Sequence, residues 1–170
     1  MKRGQIVIIL FLSVLLFASC TNGLSSYYRK SDTPSSGDTA ELWTLITKTS
    51  PYKNWKTWPG YPDIYPGKSP HGAFLRLYAN DLAIDAVKAG KTTLPNRAII
   101  VKENYGQDKK TLMGITPMYK MDGYNPEGGD WYWAKYGPKG KVEAAGKLKG
   151  CIGCHSRVKQ KDWLFTSPKM

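Results

Sequence analysis

The sequence predicts an α+β domain, mainly antiparallel β-sheet with a few short helices, and three observations carry that expectation. Four stretches, residues 73–79, 97–104, 111–121 and 130–136, read as strands and are separated by turn-forming Gly, Asn, Asp and Pro. Two short helices are announced by capping residues, Asp38 and Asn80. The third observation is Cys151-Ile152-Gly153-Cys154-His155 near the C-terminal end, the CxxCH arrangement by which a c-type haem is attached covalently. The architecture expected is therefore a sheet with short helices packing one c-type haem.

Taken in order, Asp38-Thr39-Ala40-Glu41 is a capping-box pattern ahead of Leu42, Trp43, Leu45 and Ile46, spaced as on one helical face. Residues 51–72 are dense in Pro, Gly, Tyr and Trp. Free linkers rarely carry Trp55, Trp58, Tyr61 and Tyr65, so an ordered aromatic loop is expected. After the strand at 73–79, Asn80 caps a helix with Leu82, Ala83, Ala86 and Val87 on one side, and Gly90 is placed to end it. The remaining three strands follow. Residues 142–149 read as a short helix leading into the CxxCH segment, and Lys161-Asp162-Trp163-Leu164-Phe165 as a segment packing back over it. No internal repeat is evident.

Lys2 and Arg3 precede an apolar run over residues 6–17 that ends in small residues before Cys20, the pattern of an export signal. At about a dozen residues the run is short for a bilayer span, which needs roughly 20; an uncleaved transmembrane helix is the alternative. Phe17-Ala18-Ser19-Cys20 resembles a bacterial lipobox, with Phe17 in place of the usual leucine, so Cys20 is expected to be the lipidated first residue of the mature chain. Plain cleavage nearby, giving a soluble periplasmic protein, is the alternative. The expected organisation is a signal peptide at 1–19, a lipidated N-terminus and tether at 20–37, and a haem domain at 38–170. A flexible tether of this length has an end-to-end distance of about 20–25 Å. The expected location is the bacterial cell envelope, facing the periplasm. Thr21 lacks the acidity associated with inner-membrane retention, which favours the outer membrane.

Losing Lys2 and Arg3 with the signal takes the formal charge from +12 to +10. Such an excess favours an acidic redox partner, an anionic small molecule or an anionic lipid surface, against the bland reading of a merely soluble basic surface. Nucleic acid is not an expected partner for an exported lipoprotein.

In the pentapeptide, the thiols of Cys151 and Cys154 can add across the two vinyl groups of a porphyrin, and His155 can bind the iron. The competing readings fit poorly. A tetrahedral zinc site needs four ligands, whereas the chain has three cysteines and two histidines, with Cys20 assigned to lipid and His71 far upstream. A redox dithiol has no need of His155. With lipid on Cys20 and haem on the other two, no cysteine remains for a disulfide. The C-terminal position also argues against the commonest haem c fold, whose attachment sequence lies early with a ligating methionine downstream. Here Met170 is the only methionine beyond His155. Four strands do not suit a four-helix cytochrome.

The order of motifs resembles the cytochrome P-460 family, together with the β-sheet cytochromes c′ that share its fold. Ser69-Pro70-His71-Gly72 precedes Tyr78-Ala79-Asn80, followed by Ile99-Ile100-Val101-Lys102-Glu103, Met118-Tyr119-Lys120, Gly128-Gly129-Asp130-Trp131, CxxCH and the closing Lys161-Asp162-Trp163-Leu164-Phe165. In that family a lysine on the second strand is bonded to a meso carbon of the haem, and Lys102 is its match here. Alternation allows it, because Ala98, Ile100 and Lys102 share one face while Ile99, Val101 and Glu103 share the other. A solvated lysine at a strand end is the reading without the resemblance.

The resemblance implies a pentacoordinate iron on His155, open to hydroxylamine, nitric oxide or another small ligand, and homodimers are common among relatives. Active members of the family carry a carboxylate above the iron on the strand after the lysine strand. Residues 112–120 contain no Asp or Glu, and Thr116 falls at that place, so efficient hydroxylamine oxidation is in doubt. His71, between Pro70 and Gly72, reads as a turn residue rather than a second axial ligand. Met113 and Met121 share a strand face with Ile115 and Tyr119 and read as core, while Trp131, Tyr132, Trp133 and Tyr136 read as packing around the cofactor. Three functions stay open: a hydroxylamine or nitrogen-oxide oxidoreductase, a non-catalytic binder of nitric oxide, and an electron-transfer cytochrome.

Overall fold

The computed structural model describes residues 38–166. The export signal, Cys20 and the tether lie outside them, as does Met170. Among the described residues no helix is long and apolar enough to cross a membrane.

The chain opens with α1 (Thr39–Thr44), whose first turn is capped by the Asp38 side chain accepting from the Ala40 and Glu41 N–H groups. One π-helical turn, Leu45–Thr49, prolongs it. The capping contact is worth about 1 kcal/mol. Strands β1 (Lys56–Thr57) and β2 (Tyr65–Pro66) punctuate the aromatic loop, and both pair with β3 (Phe74–Ala79). Next come α2 (Asp81–Lys88), β4 (Ile99–Tyr105), β5 (Leu112–Lys120), β6 (Trp131–Tyr136), β7 (Val142–Gly146) and α3 (Lys149–His155). All seven strands form one antiparallel sheet in the order β1-β3-β4-β5-β6-β7, with β2 beside β1 on β3. The α+β class expected from the sequence is the one observed.

Alternation divides the sheet into two apolar faces. One carries Tyr78, Ile99, Val101, Ile115, Tyr119, Tyr132 and Tyr136 and is covered by Leu42, Leu45 and Ile46 of the first helical segment. Burying each of those three aliphatic side chains stabilises by roughly 1.5–3 kcal/mol. Tyr136 and Tyr132 fasten the helix further, through hydrogen bonds to the Thr39 carbonyl (2.7 Å) and hydroxyl (2.6 Å). The second face carries Leu77, Ala79, Ile100, Met118, Trp131 and Trp133, covered by α2, Trp58, Trp163 and Leu164.

Three expectations need correction. Residues 142–146 form a strand, not a helix: the turn closed by the Gly137 N–H on the Lys141 carbonyl brings them back onto β6, so sheet pairing overrides an alanine-rich composition. Met113 is 58% exposed rather than core. Asn104 pairs with Gly114 and Tyr105 with Leu112, which leaves Met113 as the extra residue of a β-bulge. Finally, the four aromatic residues of β6 expected to pack around the cofactor divide between the faces: Trp131 and Trp133 lie with the CxxCH segment, whereas Tyr132 and Tyr136 belong to the layer against α1.

Candidate haem-binding site

The CxxCH segment forms α3, and its Cys151 and Ile152 pack on the second sheet face against the cluster that contains Trp131, Trp133 and Trp163. Both thiols are free and half-buried. Burial pushes the Cys151 thiol up, opposed in part by a helix-end backbone contact and by Lys102. His155 is buried between two rings, Trp133 at 4.6 Å and Phe165 at 5.0 Å, both edge-on. Its Nδ1 is 2.6 Å from the Trp163 carbonyl oxygen. A carbonyl only accepts, so Nδ1 carries the proton and Nε2 keeps its lone pair for a metal. Burial lowers the pKa of this imidazole, which keeps it in the neutral form that ligates.

Trp163 is itself held by shape. Gly129 has φ +69°, and a Cβ there would lie 2.3 Å from the Trp163 ring. The returning segment read from the sequence therefore does lie over the attachment helix, and it supplies the carbonyl that orients His155.

Lys102 stands on β4 with Ile100 and Asn104 on the site face, while Ile99, Val101 and Glu103 face α1. Its amine feels both Cys151 and Cys154, and burial pushes it down to about 8. Roughly a tenth to a fifth of the amine is then neutral near physiological pH, far more than in a solvated lysine. Glu103 is fully buried on the far face, accepting from the hydroxyls of Tyr52 (2.8 Å) and Tyr105 (2.7 Å) and from the Lys53 ammonium. Thr116 pairs directly with Lys102. Its hydroxyl is engaged by the Asn104 amide at 3.1 Å and by the Lys102 carbonyl at 3.4 Å.

One residue of this site escaped the sequence reading, and a second was read without its partner. Asn104 is buried and joins Gly72, His71, Lys102, Gly114 and Thr116 through its side chain. The signal for it was present, since period two places Asn104 on the same inward face as Ile100 and Lys102. His71 is a turn residue as expected, yet its imidazole is engaged in the site at 3.1 Å from Asn104 Oδ1.

These residues fit a covalently held haem. Two reduced thiols and a histidine with a free Nε2 come from one helix, and the buried indole N–H groups of Trp58 and Trp133, in the same apolar layer, have no hydrogen-bond partner. An antiparallel sheet carrying a CxxCH helix against one face defines a β-type haem protein. A family model described as Cytochrome P460 matches residues 49–166, and the chain belongs to that family, whose members are c-type haem cytochromes. No curated protein matched the chain.

Proposed function

We propose that this protein is an exported mono-haem cytochrome, anchored by lipid on Cys20 and open on one side of its iron to a small nitrogenous ligand such as hydroxylamine or nitric oxide. In this reading Cys151 and Cys154 would hold the haem through two thioether bonds, each S–H having added across a vinyl group. His155 Nε2 would hold the iron, with its ring oriented by the Trp163 carbonyl. Lys102 would hold the porphyrin edge by an N–C bond in place of one N–H and one C–H, which requires a two-electron oxidant such as a peroxide to take up the two electrons and two protons. The haem supplies one-electron redox chemistry and a site for small ligands.

The observation that carries this reading is the placement of Lys102, whose buried amine lies within the electrostatic reach of both attachment thiols. A solvated lysine would point away from them. The test is an intact mass with a tryptic haem-peptide map, together with absorption spectra. Expected are a mass increase of one haem, a branched haem peptide containing both Lys102 and the CxxCH segment, a high-spin ferric spectrum and a red-shifted reduced Soret band. In Lys102→Met the haem stays on the cysteines while the branch and the red shift are lost. Colourless protein with two free thiols from a host competent in cytochrome maturation would overturn the reading.

Binding without turnover is favoured over catalysis by one specific observation: Thr116, not a carboxylate, faces Lys102 across the strands. Hydroxylamine turnover with an artificial electron acceptor distinguishes the two.

A further inference from the structure

The side chain of Asn104 cannot be reversed. Its Oδ1 accepts the Gly72 backbone N–H at 3.2 Å, and its Nδ2 donates to the carbonyls of Lys102 (3.3 Å) and Gly114 (3.2 Å) and to Thr116 Oγ1 (3.1 Å). Flipping the amide would set a donor against the Gly72 donor and an acceptor against two carbonyls. The atom that meets His71 Nδ1 at 3.1 Å is therefore an acceptor, and Nδ1 must carry the proton. The neutral imidazole then has a lone pair on Nε2, and no hydrogen bond engages that atom among the described residues.

The backbone fixes this ring in place. A Cβ on Gly72 would lie 2.6 Å from both the amide nitrogen and the carbonyl oxygen of Tyr105, so only glycine lets the turn press against β4. His71 is thereby brought to the site face, where the titratable groups nearest to it in effect are Lys102 from β4 and His155 from α3.

We infer that His71 is the ligand-selecting acceptor of this site: held by Asn104 with its proton on Nδ1, it offers Nε2 to a small ligand bearing O–H or N–H, such as hydroxylamine. It offers nothing to a ligand without a proton, such as nitric oxide. This role rests on the proposed small-ligand function. It also locates an acceptor in a place other than position 116, whose hydroxyl is already engaged.

The test uses the haem-loaded protein, with hydroxylamine (no electron acceptor present) and nitric oxide titrated separately against the ferric form and followed in the Soret region. Relative to the natural protein, His71→Leu is expected to weaken hydroxylamine binding about tenfold, the value of one lost hydrogen bond in a desolvated site. Nitric oxide affinity is expected to change by less than about twofold, as no hydrogen bond is lost. His71→Gln, which has a side-chain oxygen to accept, regains part of the hydroxylamine affinity. Equal effects on the two ligands, or none on either, would overturn the inference and leave the small-ligand reading intact. A low-spin natural protein that becomes high-spin in His71→Leu would also overturn it, because His71 would then be an iron ligand. If the natural protein binds neither ligand, the functional reading itself fails and takes this inference with it.

Discussion

Lys102 and Thr116 are direct partners across β4 and β5, so a side chain at position 116 emerges on the same sheet face as the buried amine. Thr116→Glu places a carboxylate there. A positioned base contributes roughly a hundredfold or more when well aligned. An increase of at least about tenfold in hydroxylamine oxidation is expected even with imperfect alignment. Steady-state turnover with an artificial acceptor checks it, and a haem-loaded variant no faster than the natural protein would count against a missing base.

Much of this arrangement was legible beforehand because a strand has only two faces. Period two assigned Ile100 and Lys102 to one side and Glu103 to the other before any contact was known, and the caps at Asp38 and Asn80 marked both early helices. What was hidden depended on partners distant in the chain. Nothing local in residues 142–146 says that β6 will recruit them, and the two-residue strands β1 and β2 exist only because β3 presents to them the edge that β4 leaves open. His71 was read correctly as a turn residue, but its engagement with Asn104 spans 33 positions and lies beyond any local pattern.

Glu103 offers a control, being adjacent to Lys102 in sequence and opposite to it in space. Burial first, and the bond to Glu103 second, raise the pKa values of Tyr52 and Tyr105, which keeps both hydroxyls as donors to its carboxyl group. Glu103→Ala strands both of them in the core, at a cost of about 3 kcal/mol. Denaturant unfolding should show that loss. Ligand affinities measured under native conditions should not change, since the residue lies behind the sheet.

His71 leaves a signature in the pH dependence of stability. Burial first, then Lys102, push its imidazole down to about 4, whereas the unfolded chain protonates near the ordinary value of about 6.5. Between those values the unfolded state binds the extra proton. Stability is therefore undiminished above about pH 6.5 and is lost as pH falls toward the folded value. With allowance for partial solvent access, the loss between neutrality and about pH 5 is about 1 kcal/mol. Urea unfolding of the haem-loaded protein at those two values should show a correspondingly smaller loss in His71→Gln. An identical pH dependence in both proteins would rule this titration out.

Asp162 secures the segment that orients the histidine. Its carboxyl group takes the Lys120 ammonium on one oxygen, at 2.5 Å, and the Leu94 N–H on the other, at 2.8 Å, while its carbonyl accepts the Trp131 indole N–H at 3.0 Å. Lys120 also donates to the Gly129 carbonyl, at 2.7 Å. Both members of the pair are buried, so Asp162→Ala leaves an uncompensated cation and an unpaired backbone donor, at a cost of about 3–5 kcal/mol. Asp162 adopts φ +52°, a left-handed conformation that asparagine tolerates well. Asp162→Asn thus keeps the backbone and a hydrogen-bonding oxygen, and separates loss of charge from loss of shape. Because the next residue supplies the carbonyl on His155 Nδ1, Asp162→Ala is also expected to broaden the ferric haem spectrum, whereas Asp162→Asn lowers stability with the spectrum preserved. Thermal unfolding and absorption spectra of the two variants provide the comparison, and an alanine variant as stable as the natural protein would show that the ion pair does not hold this segment.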